Sequence, residues 1–123
     1  MRMHTVAITH AFFRAATDAG MSESEIDDLV NYLAEHPKAG EDIPGTGGCR
    51  KVRVAGRGKG KSGGYRTITF FTGKHLPVFL ITVFSKGERS NLTKSERNRL
   101  GATTKAIVKE YQSKVAEMAK KGA

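Results

Sequence analysis

The spacing of apolar residues changes from helical to strand-like in the middle of this chain of 123 residues, and that change limits the folds it can adopt. Before the change apolar residues recur at helical spacing, as at Ile26, Leu29, Val30 and Leu33. After a turn-rich connector at 41–48, bases and valines alternate from Arg50 to Val54, which is the period of a strand. A chain that passes from helices to strands predicts the α+β class, with helices packed on one sheet.

Local signals refine this prediction into an order of elements. Residues 5–8 favour a first strand, and a short helix from Ala11 is expected to end at Gly20. Ser22 and Glu25 form a capping box, with Met21 and Ile26 placed as a hydrophobic staple. Pro37 ends the helix that this box begins.

The second half is expected to contain three strands and a long helix. Residues 65–72 and 76–84 are rich in β-branched and aromatic residues, and their short separation predicts a hairpin. Thr93 and Glu96 form a second capping box. The helix after it carries one apolar stripe, at Leu100, Ile107, Tyr111, Val115 and Met118. We therefore expect a single small domain over residues 1–123, with a mainly antiparallel sheet packed on helices in the order β-α-α-β-β-β-α.

Charge is distributed unevenly along the chain. The formal net charge is +9, but residues 1–48 carry three bases and eight acids. Residues 49–91 carry ten bases and the single acid Glu88, and residues 92–123 carry eight bases and three acids. This segregation predicts a polyanionic partner on a basic face. A surface selected only for solubility is the alternative.

Several classes of protein are excluded or disfavoured. The sequence contains no stretch of about 18 consecutive apolar residues, so a membrane span is not expected. The N-terminus lacks the pattern of a secretory signal. Cys49 is the single cysteine, so no internal disulfide is expected and the reducing cytoplasm is the predicted location. The histidines lack metal-ligand spacing, so neither a metal nor another cofactor is expected. They are His4, His10, His36 and His75.

A glycine- and lysine-rich loop spans residues 56–64. Gly60-Lys61-Ser62 resembles the end of a phosphate-binding P-loop, but Gly56 lies one residue too close and a strand follows where a helix is required. A mobile basic loop that contacts phosphates through Arg57, Lys59 and Lys61 fits better.

No carboxylate pair or nucleophile frame is visible, so chemistry would have to come from lysine and arginine. RNA allows such chemistry, because its 2′-hydroxyl can attack the neighbouring phosphate once the backbone is oriented and the charge is stabilised. A sheet face with four bases would meet this need, namely Lys51, Arg53, Arg66 and Lys86.

Three segments resemble the RelE/ParE superfamily of toxins, and most closely the HigB-like group. They are Cys-Arg-Lys-Val-Arg-Val at 49–54, Gly-Gly-Tyr-Arg-Thr-Ile-Thr-Phe-Phe at 63–71, and Leu-Ile-Thr-Val-Phe-Ser-Lys-Gly-Glu-Arg at 80–89, followed by the capped helix. The resemblance covers roughly residues 25–105. It implies a ribosome-dependent mRNA endonuclease that is neutralised by a cognate antitoxin, commonly of helix-turn-helix type.

The resemblance also implies roles for individual residues. Lys51 and Arg53 fall on the family's Lys-x-Lys strand, Arg66 on its Tyr-Arg strand, and Lys86 near the base after the next strand. Arg53 replaces a lysine, Gly87 replaces a second base, and Leu92 stands where RelE-type enzymes have a tyrosine. Contacts to RNA or the ribosome are expected from a further set: Arg50, Arg57, Lys59, Lys61, Tyr65 and Arg89.

Two other functions and one geometric difficulty remain open. The chain could be a non-enzymatic ParE-like toxin that binds gyrase, or a plain RNA-binding module in which Tyr65 stacks on a base. Arg66 alternates along its strand with Ile68 and Phe70, so all three point to the same side, and Ile68 and Phe70 are expected in the core. It could reach a basic face through a twist or bulge, or it could be a structural charge paired with an acid.

Overall fold

The computed structural model describes residues 4–55, 64–73, 75–85 and 92–122, with side chains to residue 120. Its elements, in chain order, are β1 Val6–Ile8, α1 His10–Ala19, α2 Glu23–Glu35, β2 Glu41–Asp42, β3 Cys49–Val54, β4 Tyr65–Phe70, β5 Val78–Ser85 and α3 Lys94–Gly122. The α+β class is confirmed. The order matches the expected one except for β2, a two-residue strand in the segment predicted to be a connector.

The five strands form one sheet in the order β1-β5-β4-β3-β2. β1 runs parallel to β5, and the other three pairings are antiparallel. The expected hairpin is confirmed as β4 and β5. Since β4 lies at the centre of the sheet, every residue of this strand is buried.

Local capping residues set the ends of α1 and α2. Thr9 caps α1, accepting from the Phe12 amide at 3.1 Å and donating its hydroxyl to the Leu80 carbonyl at 2.8 Å. Gly20 ends α1 in the left-handed conformation with φ 79°, as its position predicted. Both bonds of the Ser22–Glu25 capping box are present, so the predicted start of α2 is confirmed.

The strand register defines two faces of the sheet. Val54 pairs with Tyr65 and Val52 with Thr67, and Val52 and Tyr65 belong to the core cluster that α1 and α2 complete. We call this side the helix face. The cluster consists of Phe12, Ala16, Met21, Leu29, Leu33, Val52, Tyr65, Phe71, Val78, Leu80 and Val83.

The chain divides into two compact units. The sheet, α1 and α2 belong to the first, which comprises Met1–Ile43 and Gly48–Asn91, and the second comprises Pro44–Gly47 and Leu92–Ala123. In the second, the Thr93–Glu96 capping box begins α3, and the Thr104 hydroxyl donates to the Gly101 carbonyl at 2.9 Å and approaches the Thr46 carbonyl at 3.4 Å.

The predicted apolar stripe of α3 is buried only in its first part. Leu100 is buried and Ile107 and Tyr111 are half-buried, whereas Val115 and Met118 are 49% and 72% exposed. Helical spacing places these residues on one side of α3, but it does not determine how much of that side is covered. No helix in the described ranges combines the length and apolar character needed to cross a membrane.

Candidate nucleic-acid interface

The β3–β4 register brings three of the expected catalytic bases to one face. Arg53 lies directly opposite Arg66, and Lys51 lies opposite Ile68 on the adjacent strand. Residues directly opposite each other in an antiparallel pair point to the same side. Lys51, Arg53 and Arg66 therefore share the side away from Val52 and Tyr65, and we call this the basic face.

This register corrects the expectation that Arg66 needs a twist or bulge to join the other bases. Ile68 and Phe70 lie on the basic face themselves, so their shared parity with Arg66 presents no conflict. The one irregularity between β4 and β5 falls at Ile68 and Thr69, beyond Arg66. The sequence-based prediction assumed that apolar strand residues face the helices, but this central strand is buried on both sides.

Arg66 is only 7% exposed. Within the described part of the chain its guanidinium forms no hydrogen bond and lies within 4 Å of no carboxylate. Arg66 therefore forms no structural ion pair with any acid among the described residues. Its nitrogens are not among the described buried polar atoms that lack a hydrogen-bond partner, so the guanidinium still reaches solvent. A phosphate would supply both the opposite charge and two acceptor oxygens for the guanidinium fork.

The other two bases are progressively more accessible. Lys51 is half-buried and Arg53 is exposed. β2 also brings a carboxylate to the edge of this face, because Glu41 pairs with Lys51. Sequence reasoning missed Glu41, since two residues carry no periodic signal. The one local sign is Gly40, where φ is 99° and a Cβ would lie 2.5 Å from the Lys51 carbonyl oxygen.

Arg50 and Tyr65 are also predicted to contact RNA, and the structure places both of them off the basic face. Each lies one residue from a member of the basic face and so points to the helix face. Arg50 donates from Nη1 to the Phe71 carbonyl at 3.1 Å, and its Nε lies 3.5 Å from Asp42 Oδ1. Tyr65 is 1% exposed, so its ring is not accessible for stacking on a base.

The remaining predicted residues lie outside the described ranges or in the second unit. Lys86, Arg57, Lys59, Lys61 and Arg89 fall outside the described residues. Leu92, at the position where RelE-type enzymes have a tyrosine, is half-buried.

The described residues provide no alternative centre for metal chemistry. No group of His, Cys, Asp or Glu among them is arranged to hold a metal ion. The side chains of His4, His10, His36 and His75 are all exposed, as expected for surface histidines.

Comparison with known families places the chain among the toxins of toxin–antitoxin systems. The matching family model is described as the RelE toxin of the RelE/RelB toxin–antitoxin system, and it matches residues 4–123. The chain belongs to the RelE toxin family, and an antitoxin is the partner of such a toxin. The family indicated by the sequence motifs is confirmed, while the closer likeness to HigB-like toxins stays a prediction.

One solved structure similar to this chain is the E. coli toxin RelE in the free state, in a mutant form with two arginines replaced by alanine. It is 16% identical in sequence, the match covers 67% of this chain and 82% of that chain, and the TM-score is 0.45. The assignment to the family depends on the family model rather than on this likeness.

Proposed function

We propose that this chain is a ribosome-dependent mRNA endonuclease that inhibits translation in the cytoplasm until a cognate antitoxin, of helix-turn-helix type, neutralises it. The observation that carries the proposal is the basic face. There Arg66 is buried, forms no hydrogen bond or ion pair with the described residues, and lies directly opposite Arg53. Lys51 lies two residue pairs away on the same face. Membership of the RelE family supports a toxin role.

The proposed reaction is an internal transfer within RNA. The 2′-oxygen of one nucleotide forms a bond to the adjacent phosphorus while the bond from phosphorus to the 5′-oxygen breaks. The products are a 2′,3′-cyclic phosphate and a 5′-hydroxyl. The 2′-hydroxyl loses a proton and the leaving 5′-oxygen gains one, so two proton transfers accompany one exchange at phosphorus.

Each base of the face has a role that its side chain can perform. Arg66 would clamp the non-bridging phosphoryl oxygens, where negative charge increases in the transition state. Arg53, being exposed, would hold the incoming backbone. Lys51 is the base of this face that can exchange a proton, since arginine stays charged. By resemblance Lys86 would add a fourth cation.

Dependence on the ribosome follows from the composition of the face. Three cations bind and orient a phosphate, but RNA free in solution rarely places its 2′-oxygen in line with the leaving oxygen. We expect purified protein to cut a short synthetic RNA poorly and to cut the same sequence efficiently in the decoding site of a ribosome. Efficient cleavage of the free RNA would contradict ribosome dependence.

Brief induction in cells followed by primer extension on one abundant transcript tests the function itself. In-frame cuts within translated sequence are expected. Intact RNA with DNA damage would instead indicate a ParE-like toxin acting on gyrase. Intact RNA and intact DNA, with the protein bound to RNA, would indicate a plain RNA-binding module.

A further inference from the structure

Tyr65 connects the start of β4 to the turn between α1 and α2. Its ring lies in the core of the helix face, and its hydroxyl lies 3.3 Å from the Gly20 carbonyl and 3.4 Å from Glu25 Oε1. Gly20 ends α1, and Glu25 belongs to the first turn of α2. One phenol therefore contacts both helix ends from the strand that carries Arg66.

Glu25 is suited to hold this hydroxyl in place. Its side chain is 7% exposed, and Oε1 also accepts from the Ser22 amide at 2.9 Å as part of the capping box. That bond fixes the carboxylate on α2, while the bond from the Glu25 amide to Ser22 Oγ closes the box at 3.1 Å. The acceptor offered to Tyr65 is thus held by the helix start.

The phenol stays a donor over the whole range in which a cell operates. Burial raises the pKa of Tyr65 above its ordinary value of 10.0, and the charge of Glu25 and the hydrogen bond to it raise it further. The protonated hydroxyl has one hydrogen to donate, which the Glu25 carboxylate and the Gly20 carbonyl share.

Arg66 follows Tyr65 directly and points to the other side of the sheet. Tyr65 is the first residue of β4, and it pairs with Val54, the last residue of β3, and with Ser85, the last residue of β5. We call such a set of directly paired residues a rung. The next rung places Arg66 between Arg53 and Phe84. Pairing at the end of a ladder opens more readily than pairing inside it. A side-chain anchor at Tyr65 would therefore restrain the backbone from which Arg66 projects.

We propose that Tyr65 and Glu25 are positioning residues for Arg66: from the helix face they hold the first rung of β4, and so they set where the guanidinium lies on the basic face. This role rests on the proposed nuclease function. Neither residue touches RNA in this proposal.

Tyr65→Phe tests the proposal, since it keeps the ring and removes only the hydroxyl. We expect single-turnover cleavage on saturated ribosomes to fall about fivefold, the size of one lost hydrogen bond, with ribosome affinity changed less than roughly twofold. In an Arg66→Ala background the same substitution should change the residual rate less than about twofold, because residues that act through one another are not additive. Glu25→Gln keeps an acceptor oxygen and should retain most of the rate, whereas Glu25→Ala should not.

Ser22→Ala is the matched control. It removes the Ser22 Oγ acceptor and lowers the stability of α2. The bond that holds Glu25 Oε1 beside the Tyr65 hydroxyl comes from the Ser22 backbone amide, which alanine retains. Its cleavage rate should equal that of the wild type. An equal loss of rate in Ser22→Ala and Tyr65→Phe would mean that general destabilisation is responsible, and the proposal would be overturned.

Amide hydrogen exchange provides a readout that does not need activity. Tyr65→Phe should speed exchange several-fold at residues 65–67 and leave residues 78–80 unchanged. If wild-type protein fails to cut RNA on ribosomes, the nuclease function is wrong, and exchange still decides whether Tyr65 restrains this rung. Unchanged exchange at 65–67 would overturn the positioning role whatever the activity.

Discussion

Arg50 and Arg66 lie on neighbouring strands, but their guanidinium groups are held differently. Arg50 is on the helix face, where the Phe71 carbonyl and Asp42 occupy its fork. Arg66 is buried on the basic face, and the described residues offer it no such partner. The contacts of Arg50 support the fold, whereas the donors of the Arg66 guanidinium are not used by the described residues.

This contrast predicts opposite results for two alanine substitutions. Arg66→Ala should lower single-turnover cleavage on the order of a hundredfold, because a phosphate clamp is removed, while the melting temperature changes little. Arg50→Ala should lower stability by about 1 kcal/mol and leave cleavage within roughly twofold of wild type. Thermal unfolding and ribosome cleavage assays on both variants check this. A fully active, folded Arg66→Ala would remove Arg66 from the catalytic set.

The raised pKa of Tyr65 predicts a loss of stability in alkali. The folded protein holds this proton more tightly than the unfolded chain, so the stabilisation is complete below about pH 10 and is lost as the pH rises through the folded value. Tyr65→Phe lacks this titration. The difference in unfolding free energy between wild type and Tyr65→Phe should therefore shrink above pH 10 in urea titrations. Tyr32→Phe, which changes an exposed ring, retains Tyr65 and serves as control.

Short elements show which parts of the fold the sequence could predict. The ends of the helices were predictable because they depend on residues close together in the sequence. These signals are the capping boxes at Ser22 and Thr93 and the glycine at the end of α1. β2 was not predictable, since two acidic residues pair only because β3 approaches them. The side of the sheet on which Arg66 lies was not predictable either. The alternation of residues along a strand separates them into two sides but does not say which side meets the helices.

Gly40 is the residue on which the pairing of β2 depends. With φ 99° and a Cβ position 2.5 Å from the Lys51 carbonyl, alanine there would push β2 away from β3. We expect Gly40→Ala to cost more than about 2 kcal/mol and to reduce cleavage by disturbing Lys51. Gly45→Ala is matched in backbone, with φ 81° and no atom within 4 Å of the added Cβ, and should cost about 1 kcal/mol. Equal losses in urea denaturation would contradict the steric argument.

Under the proposed function, the charge of the whole molecule would attract the chain to the ribosome, whereas the reaction would depend on individual bases. Residues 49–91 carry ten bases and one acid, so their net charge equals the +9 of the whole chain, and they include both the basic face and the loop at 56–64. Long-range attraction depends on the total charge and is screened by salt, whereas the buried Arg66 acts only at close range.

Replacing Arg57, Lys59 and Lys61 together with serine tests this division. The sequence of the loop predicts a flexible tether to ribosomal RNA, and it lies outside the described residues. Ribosome co-sedimentation at two salt concentrations should show weaker binding, with a salt slope lower by roughly one for each phosphate that the loop no longer neutralises. Single-turnover cleavage on ribosomes already bound should change much less, as should the melting temperature. Unchanged binding with abolished cleavage would assign the loop to the catalytic site instead.

The parallel pairing of β1 with β5 has a consequence during synthesis of the chain. Val6 leaves the ribosomal tunnel long before its partner Val78, so β1 must wait for most of the chain before it can join the sheet. The β3, β4 and β5 strands pair with near neighbours and can assemble as a meander first. The basic face is complete only when β4 has a strand on each side. A nascent copy therefore cannot present Lys51, Arg53 and Arg66 on a complete three-stranded sheet until the end of β5 has emerged.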